Sequence, residues 1–360
     1  MGDFVLIAGG YGEVGRRLAA VLVRSYADRV IVAGRSLERA REAAALAGGA
    51  RALAIDVNDA ASIERALGGV ATVVCCVEQD EHRALLRAAA AHGLAYTDLT
   101  ASAIWRTALA LRGEAEASGA RIVLGAGLVP GISSAMARAA ADRVGPLESV
   151  QTALLLSVGD AVGPDSLSYL MRELTTPLVV TEGGRERTAA CFSEPRAVDF
   201  PAPLGRRIAR RAPFADQYFF RRSLGVGTAT TLLALEPRWM GALIAAALRG
   251  GGAHLLDRAR FRSGVHYLVA AVKRRRGSDG VFSLVVEAAG AGGRARYSLL
   301  GHGQAEATAT AAAITARMLC ERAIEKPGVW FAEQVVDAQR FCAELGERGL
   351  QVRSDEGVTQ

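Results

Sequence analysis

Phe4-Val5-Leu6-Ile7-Ala8-Gly9-Gly10-Tyr11-Gly12-Glu13-Val14-Gly15 is the stretch on which the reading of this chain turns. An apolar run ends in glycines, and an amphipathic helix opens directly after them. Gly10, Gly12 and Gly15 fit G-x-G-x-x-G, in the strand-then-helix setting that gives this motif its meaning. Gly10 permits the tight turn. Gly12 has no Cβ, so a pyrophosphate can approach the backbone. Gly15 lets the helix lie close on the strand. The first helical N–H groups and their partial positive charge then face the phosphates. The expectation is a dinucleotide-binding turn built from Gly9, Gly10, Tyr11, Gly12, Glu13, Val14 and Gly15. The alternative is a glycine turn that joins strand to helix and holds nothing.

The rest of the first third repeats the strand–helix rhythm. Strands are predicted at Val30–Ala33, Ala52–Ile55, Thr72–Val77, Leu94–Asp98 and Arg121–Leu124. Helices are predicted between them: Leu37–Leu46 with Ser36 as N-cap, one opened by Asp59 or Ser62, His82–His92, and Ile104–Ser118. This alternation implies a doubly wound parallel sheet of the Rossmann type with right-handed crossovers. After Gly131 the rhythm changes. A helix is expected over Ser133–Val144. Strands follow at Val150–Leu156, Leu178–Thr181, Tyr267–Val272 and Phe282–Glu287, and Pro195–Pro213 reads as loop. That pattern describes an α+β second domain. Gln304–Ile324 reads as a long, buried alanine-rich helix. The expected fold class is α/β, with boundaries at 1–128 for the Rossmann domain, 129–303 for an α+β substrate and dimerisation domain, and 304–360 for a helix and tail packed back on the first domain.

Composition narrows the function. The chain has 360 residues, of which 51% are hydrophobic, enough for two domains with sizeable cores. The net charge is +6, and Lys273 and Lys326 are the only lysines. Arginine clusters at Arg206-Arg207, Arg210-Arg211, Arg221-Arg222 and Lys273–Arg276 lack the aromatic interleaving or module of a nucleic-acid binder. Solvated faces, or contacts to an acidic substrate or carrier, fit them better. The five cysteines show neither a C-x-x-C pair nor metal-ligand spacing. The glycine turn occupies the place where a secretory leader would sit, so a reducing cytoplasm is expected. The run Trp239–Leu248 is too short to span a bilayer.

The end of the second strand selects the nucleotide. An Asp or Glu there would bond a ribose 2′-hydroxyl. This chain instead reads Ala33-Gly34-Arg35-Ser36. A guanidinium, a hydroxyl and a helix N-terminus suit a 2′-phosphate, which an arginine can grip with two parallel hydrogen bonds. NADP(H) is therefore the expected cofactor, with Gly34, Arg35 and Ser36 as its selector. Asp56 and Val57, after the third strand, are expected beside the adenine. Cys76 and Val77, after the fourth, lie on the path toward the nicotinamide.

Three segments carry a family resemblance. Gly9–Ser36, Tyr96-Thr97-Asp98-Leu99-Thr100 and Gly125-Ala126-Gly127-Leu128-Val129-Pro130-Gly131-Ile132 resemble the saccharopine dehydrogenase-like family. The tail Gly328–Val336, with Phe341 and Gly349-Leu350, does so as well. The resemblance implies an NADP-binding first domain and a second domain for substrate and homodimer contacts. It also implies hydride transfer at carbon–nitrogen bonds of amino-acid-like substrates. Gly127 and Leu128 would then touch cofactor, and Pro130, Gly131 and Ser133 substrate. The pattern departs from saccharopine reductases at Val129 and Ser133, where they resemble G-L-D-P-G-I-D, and at Glu78-Gln79-Asp80, where they tend to carry a proline–tyrosine pair. Saccharopine itself is not the expected substrate.

Hydride transfer leaves the protein one proton to manage. Glu78, Asp80, His82 and Asp98 follow strands on the ligand edge, and Asp98 is the preferred catalytic group. A turn carboxylate or helix cap is its alternative. Ser133 and Ser134 bond substrate or cap a helix. Tyr169, Arg172, Arg185, Arg187, Tyr218 and Tyr267 are candidates to anchor a carboxylate or phosphate. Two further readings stay open: an enoyl or carbonyl reductase acting on a polyketide or lipid, free or carrier-bound, and a non-catalytic NADP-binding scaffold. No G-x-S-x-G, paired zinc ligands or P-loop lysine supports a hydrolase, metalloenzyme or kinase.

Overall fold

Val5, Leu6, Ile7 and Ala8 are all buried, the burial of a central parallel strand covered on both faces. The computed structural model describes residues 2–77, 83–99, 104–157, 177–249, 280–355 and 357–358. These residues divide into two compact units: Met1–Ile132 with Ala305–Asp337, and Ser133–Gln304 with Ala338–Gln360.

The first unit holds β1 (Phe4–Ala8), β2 (Val30–Gly34), β3 (Arg51–Ala54), β4 (Val70–Cys75), β5 (Ala95–Asp98) and β6 (Arg121–Leu124). Their order across the sheet is β3-β2-β1-β4-β5-β6, and all pairs are parallel. The strand Gly328–Phe331 adds to β6, also in parallel, as a seventh member. Strand order reverses between β1 and β4, which opens the crevice where such sheets take ligands. Helix α1 (Glu13–Val23) and helix α2 (Leu37–Leu46) follow β1 and β2. Ser36 caps α2 as expected, its hydroxyl accepting from the Arg39 N–H at 3.3 Å. Asp59 caps the next helix, Ala60–Ala66; the Ser62 hydroxyl instead accepts from the Asp56 N–H. The expected helix Ile104–Ser118 is two, Ile104–Ala110 and Arg112–Ser118, parted where Leu111 leaves helical geometry.

The alanine-rich helix spans Gln304–Cys320. Ala309, Ala312, Ala313 and Ala316 share one core with Leu18 and Leu22 of α1 and Val5, Ile7 and Val32 of the sheet. Methyl side chains allow that close approach. The Arg121 guanidinium caps the helix end, donating to the carbonyls of Leu319 at 2.8 Å and Ile324 at 3.1 Å.

The second unit is a mixed sheet. The strand Leu147–Ser157 lies at its centre, parallel to Thr228–Glu236 on one side and antiparallel to Val281–Gly290 on the other. Gly293–His302 follows Val281–Gly290 by an antiparallel hairpin. Two expectations are corrected here. Pro195–Pro213 is not loop: Arg196–Phe200 and Gly205–Arg211 form an antiparallel pair. Val198, Phe200 and Ala209 point inward, and the density of arginines hides that alternation. The residues after 337 belong to this unit and not to the first. Val352 pairs with Leu299, and Leu350 is buried with it. The expected strand Tyr267–Val272 lies outside the described residues. Among the described residues no helix is long and apolar enough to cross a membrane.

Candidate cofactor site at the turn after the first strand

The glycine turn is as tight as its sequence demands. A Cβ on Gly15 would fall on the Gly9 carbonyl oxygen, and one on Gly10 would stand 2.9 Å from the Ile7 carbonyl oxygen. A Cβ on Gly12 would meet only that Gly9 oxygen, at 3.1 Å, so its other side is open. Gly12 is the N-cap of α1 and offers no side-chain cap. The first N–H groups of α1 therefore keep their capacity for an anion. Glu13 stands in this first turn. Burial raises its pKa, but hydrogen bonds from Arg16 and Arg17 outweigh that and hold its carboxyl below the usual range. Arg17 donates to Glu13 at 2.5 Å and reaches Glu306 at 3.4 Å. The pairs draw the carboxylate toward the second turn of the helix.

Gly9 packs against the end of β4. A Cβ there would lie 3.3 Å from the Cys76 carbonyl and from Val77 Cγ2. The structure thus brings Cys76 and Val77 to the phosphate turn, across the point where strand order reverses. Gly34, Arg35 and Ser36 lie on the other flank. Tyr11 bridges to them. Its ring covers Gly34 so closely that a Cβ would overlap it, and its hydroxyl oxygen lies 3.5 Å from the Ser36 N–H. The Arg39 guanidinium sits 4.4 Å from the Tyr11 ring centroid, a cation–π distance. Arg35 is exposed beside this group. Sequence reasoning missed Arg39. Its signal was the spacing: four residues beyond Arg35, one turn into α2. Asp56 is exposed one strand further on, and its carboxylate accepts from the Asn58 N–H at 3.0 Å. Val57 beside it is buried.

Asp98 ends β5 opposite Cys75 and is 1% exposed. Tyr96, two residues back on the same face, is fully buried. Burial pushes the Cys75 thiol up to about 12 and the Tyr96 phenol well above its ordinary value, with the Asp98 charge adding to both. The Asp98 carbonyl accepts from the Ala126 N–H at 2.9 Å, tying it to the turn that follows β6. That turn closes on itself. The Gly127 N–H donates to the Pro130 carbonyl and the Ile132 N–H to the Gly127 carbonyl, each at 2.9 Å. Leu128, Val129, Pro130 and Gly131 are all buried, so they shape the floor of this end of the sheet.

In the second unit, Ser133 and Ser134 are fully buried at the start of the helix Ile132–Val144, and neither hydroxyl has a partner among the described residues. Arg187 is engaged by Glu182 at 2.8 Å and Glu194 at 2.7 Å. Arg185 is exposed and Tyr218 half-buried. Glu78, Asp80, His82, Thr100, Tyr169, Arg172 and Tyr267 lie outside the described residues.

This geometry fits NADP. The first turn of α1 is open to an anion, and Arg35, Ser36 and Arg39 lie close together in sequence just past the end of β2. Residues 5–123 match the family described as the saccharopine dehydrogenase NADP-binding domain. No curated protein matches the chain. Among solved structures, it resembles apo saccharopine dehydrogenase (L-Glu forming) from Saccharomyces cerevisiae. The TM-score is 0.70 at 16% identity, covering 98% of this chain and 100% of that one. It also resembles a putative myo-inositol dehydrogenase from Sinorhizobium meliloti, with a TM-score of 0.45 at 14% identity and 89% of each chain covered. The first of these likenesses extends the shared fold through both units. Residues 5–123 thus resemble the NADP-binding domain of saccharopine dehydrogenases, with NADP(H) as the cofactor, and the chain is an NADP-dependent oxidoreductase.

Proposed function

We propose that this oxidoreductase acts at a carbon–nitrogen bond of a small, amino-acid-like substrate. The first unit holds the cofactor, and the second supplies substrate contacts and a homodimer interface. Bound NADP(H) supplies or accepts the hydride. Gly9, Gly10, Gly12 and the first turn of α1 hold its pyrophosphate, with Tyr11, Glu13, Val14 and Gly15 completing the turn. Gly34, Arg35 and Ser36 hold the 2′-phosphate. Asp56 and Val57 border the adenine, and Cys76, Val77, Gly127 and Leu128 the nicotinamide end. Pro130, Gly131 and Ser133 border the substrate.

The observation that carries the carbon–nitrogen reading is the Asp98 carboxyl group, buried at the ligand edge of the sheet, which as a carboxylate complements a cationic substrate. Reduction of a carbonyl or enoyl group builds negative charge on oxygen, which a buried carboxylate opposes. A protonated imine arrives positively charged and already holds its proton. A carboxylate near it stabilises it in a site of low polarity. The likeness to a saccharopine dehydrogenase fold agrees with that chemistry. The test is turnover. NADPH oxidation with a panel of α-keto acid and amine pairs, and NADP reduction with amino-acid derivatives, should exceed turnover with enoyl or carbonyl substrates. Turnover confined to enoyl or carbonyl substrates would refute the proposal.

A further inference from the structure

A cleft of about 400 Å³ lies on the open end of one face of the second unit's sheet. The strand register lays out its floor. Thr230, Gln151, Glu287 and Arg296 stand side by side on four adjacent strands, and Thr228, Ser149, Ala289 and Arg294 form the next row. Arg196 and Asp355 border it.

The first row is wired together. The Glu287 carboxylate accepts from Gln151 Nε2 at 3.1 Å and from Arg296 Nε at 3.2 Å. The Gln151 oxygen accepts from Arg196 at 3.2 Å. Arg296 also donates to the Asp199 carbonyl and stands 4.0 Å from Asp355. Glu287 is thus saturated by its neighbours and presents little free negative charge. Two donors are left over. Thr230 is 2% exposed, lines the cleft, and its hydroxyl has no partner among the described residues. Arg294 is exposed at the rim with no salt-bridge partner among the described residues. A buried hydroxyl without a partner is costly, and a bound acceptor relieves that cost. Of the three arginines around the cleft, Arg196 stands 3.7 Å from Glu182 and Arg296 pairs with Glu287, so the positive charge left over is that of Arg294.

We propose that this cleft is a second small-molecule site, which takes a carboxylate anion. The guanidinium of Arg294 forks onto the carboxylate, and the Thr230 hydroxyl donates to it from the floor. The volume matches a small organic acid. The site lies wholly within the second unit and stands whether or not the carbon–nitrogen reading holds.

Calorimetry on the full chain tests this, with succinate and inorganic phosphate as separate probes and NADPH as the control ligand. Saturable succinate binding is expected. Arg294→Ala should weaken it about tenfold, the loss of one charge-assisted contact. Thr230→Val, a near-isosteric change that removes only the buried hydroxyl, should also weaken it, without lowering the melting temperature of the free protein. Neither variant should alter NADPH binding. Absence of saturable succinate binding, phosphate binding in its place, or succinate binding that both variants leave unchanged would each overturn the proposal.

Discussion

The Tyr11 ring packs against Gly34, with its hydroxyl oxygen 3.5 Å from the Ser36 N–H and the Arg39 guanidinium 4.4 Å from the ring centroid. One side chain thus links the glycine turn after β1 to the end of β2. Glycine at position 34 is what leaves the ring room. Gly34→Ala should displace the ring and weaken NADPH binding about tenfold, at a stability cost of about 1–3 kcal/mol for the overlap. Titration of tryptophan fluorescence with NADPH reads the first effect, and denaturant unfolding the second. Unchanged affinity would remove Tyr11 from the site.

Arg35 projects into solvent with its guanidinium exposed. A hydrogen bond to a charged partner contributes about 1.5–3 kcal/mol. Arg35→Ala should therefore weaken NADPH by about 10- to 100-fold and leave NADH nearly unchanged. Arg39→Ala should act in the same direction with a smaller loss, because part of its role is to stack on Tyr11. Dissociation constants for both nucleotides decide this; equal losses for the two would speak against a 2′-phosphate contact.

Gly131 has φ of 136°, and a Cβ there would run into the Gly127 backbone. Both the left-handed conformation and the overlap penalise any side chain. Gly131→Ala should cost about 3 kcal/mol or more, and Gly127 should shift with it. Urea unfolding measures the loss. A variant as stable as the parent would show that the turn opens easily.

Asp98→Asn keeps the shape at the end of β5 and removes the charge. Turnover of an imine substrate should fall about tenfold or more, with NADPH affinity little changed. The Cys75 thiol and Tyr96 phenol should ionise more readily once the neighbouring charge is gone, since Asp98 raises both. Thiol alkylation against pH in partly unfolding conditions reports the second effect. Full turnover in the variant would exclude Asp98 from the reaction.

Asp216 supplies a pH signature from the second unit. It is fully buried, and burial pushes its carboxyl up to about 6, against hydrogen bonds from Thr231 and the Gln217 N–H that partly restrain the rise. The folded state therefore holds this proton more tightly than the unfolded chain. Its contribution is full below the unfolded pKa near 3.8 and is lost as pH rises through about 6. The loss amounts to about 3 kcal/mol. Asp216→Asn should flatten the stability profile between those values and leave the protein at least as stable at neutral pH. Chemical denaturation across that range tests it, and an unaltered profile in the variant would assign the slope to other groups.

Much of the first unit was legible in the sequence because its determinants are local. Apolar runs closed by glycine set β1 and its turn, and Ser36 caps α2 through a contact three residues away. The Val30–Gly34 strand ends without a carboxylate whatever else the chain does. The second unit was less legible. Thr228–Glu236, a buried strand beside the central one, is flanked by Gly225, Gly227 and Pro237, but its run Thr-Ala-Thr-Thr-Leu-Leu-Ala-Leu-Glu lacks the period-two alternation that marks a strand. In Gly205–Arg211 one of the two inward positions is an arginine: Arg211 is 1% exposed, held by Glu182 and Glu194. A periodicity argument counts that residue as outward.

The sequence alone determined the glycine turn, the parallel character of the first sheet and NADP(H) as the cofactor, because each depends on residues close together in the chain. Tertiary structure alone decided that Tyr11 meets Gly34, that Asp98 is buried beside Cys75 and Tyr96, and that the last residues pair with Gly293–His302 in the second unit. Those relations join distant residues through strand register and packing, and neither composition nor spacing encodes which distant partner a side chain will find.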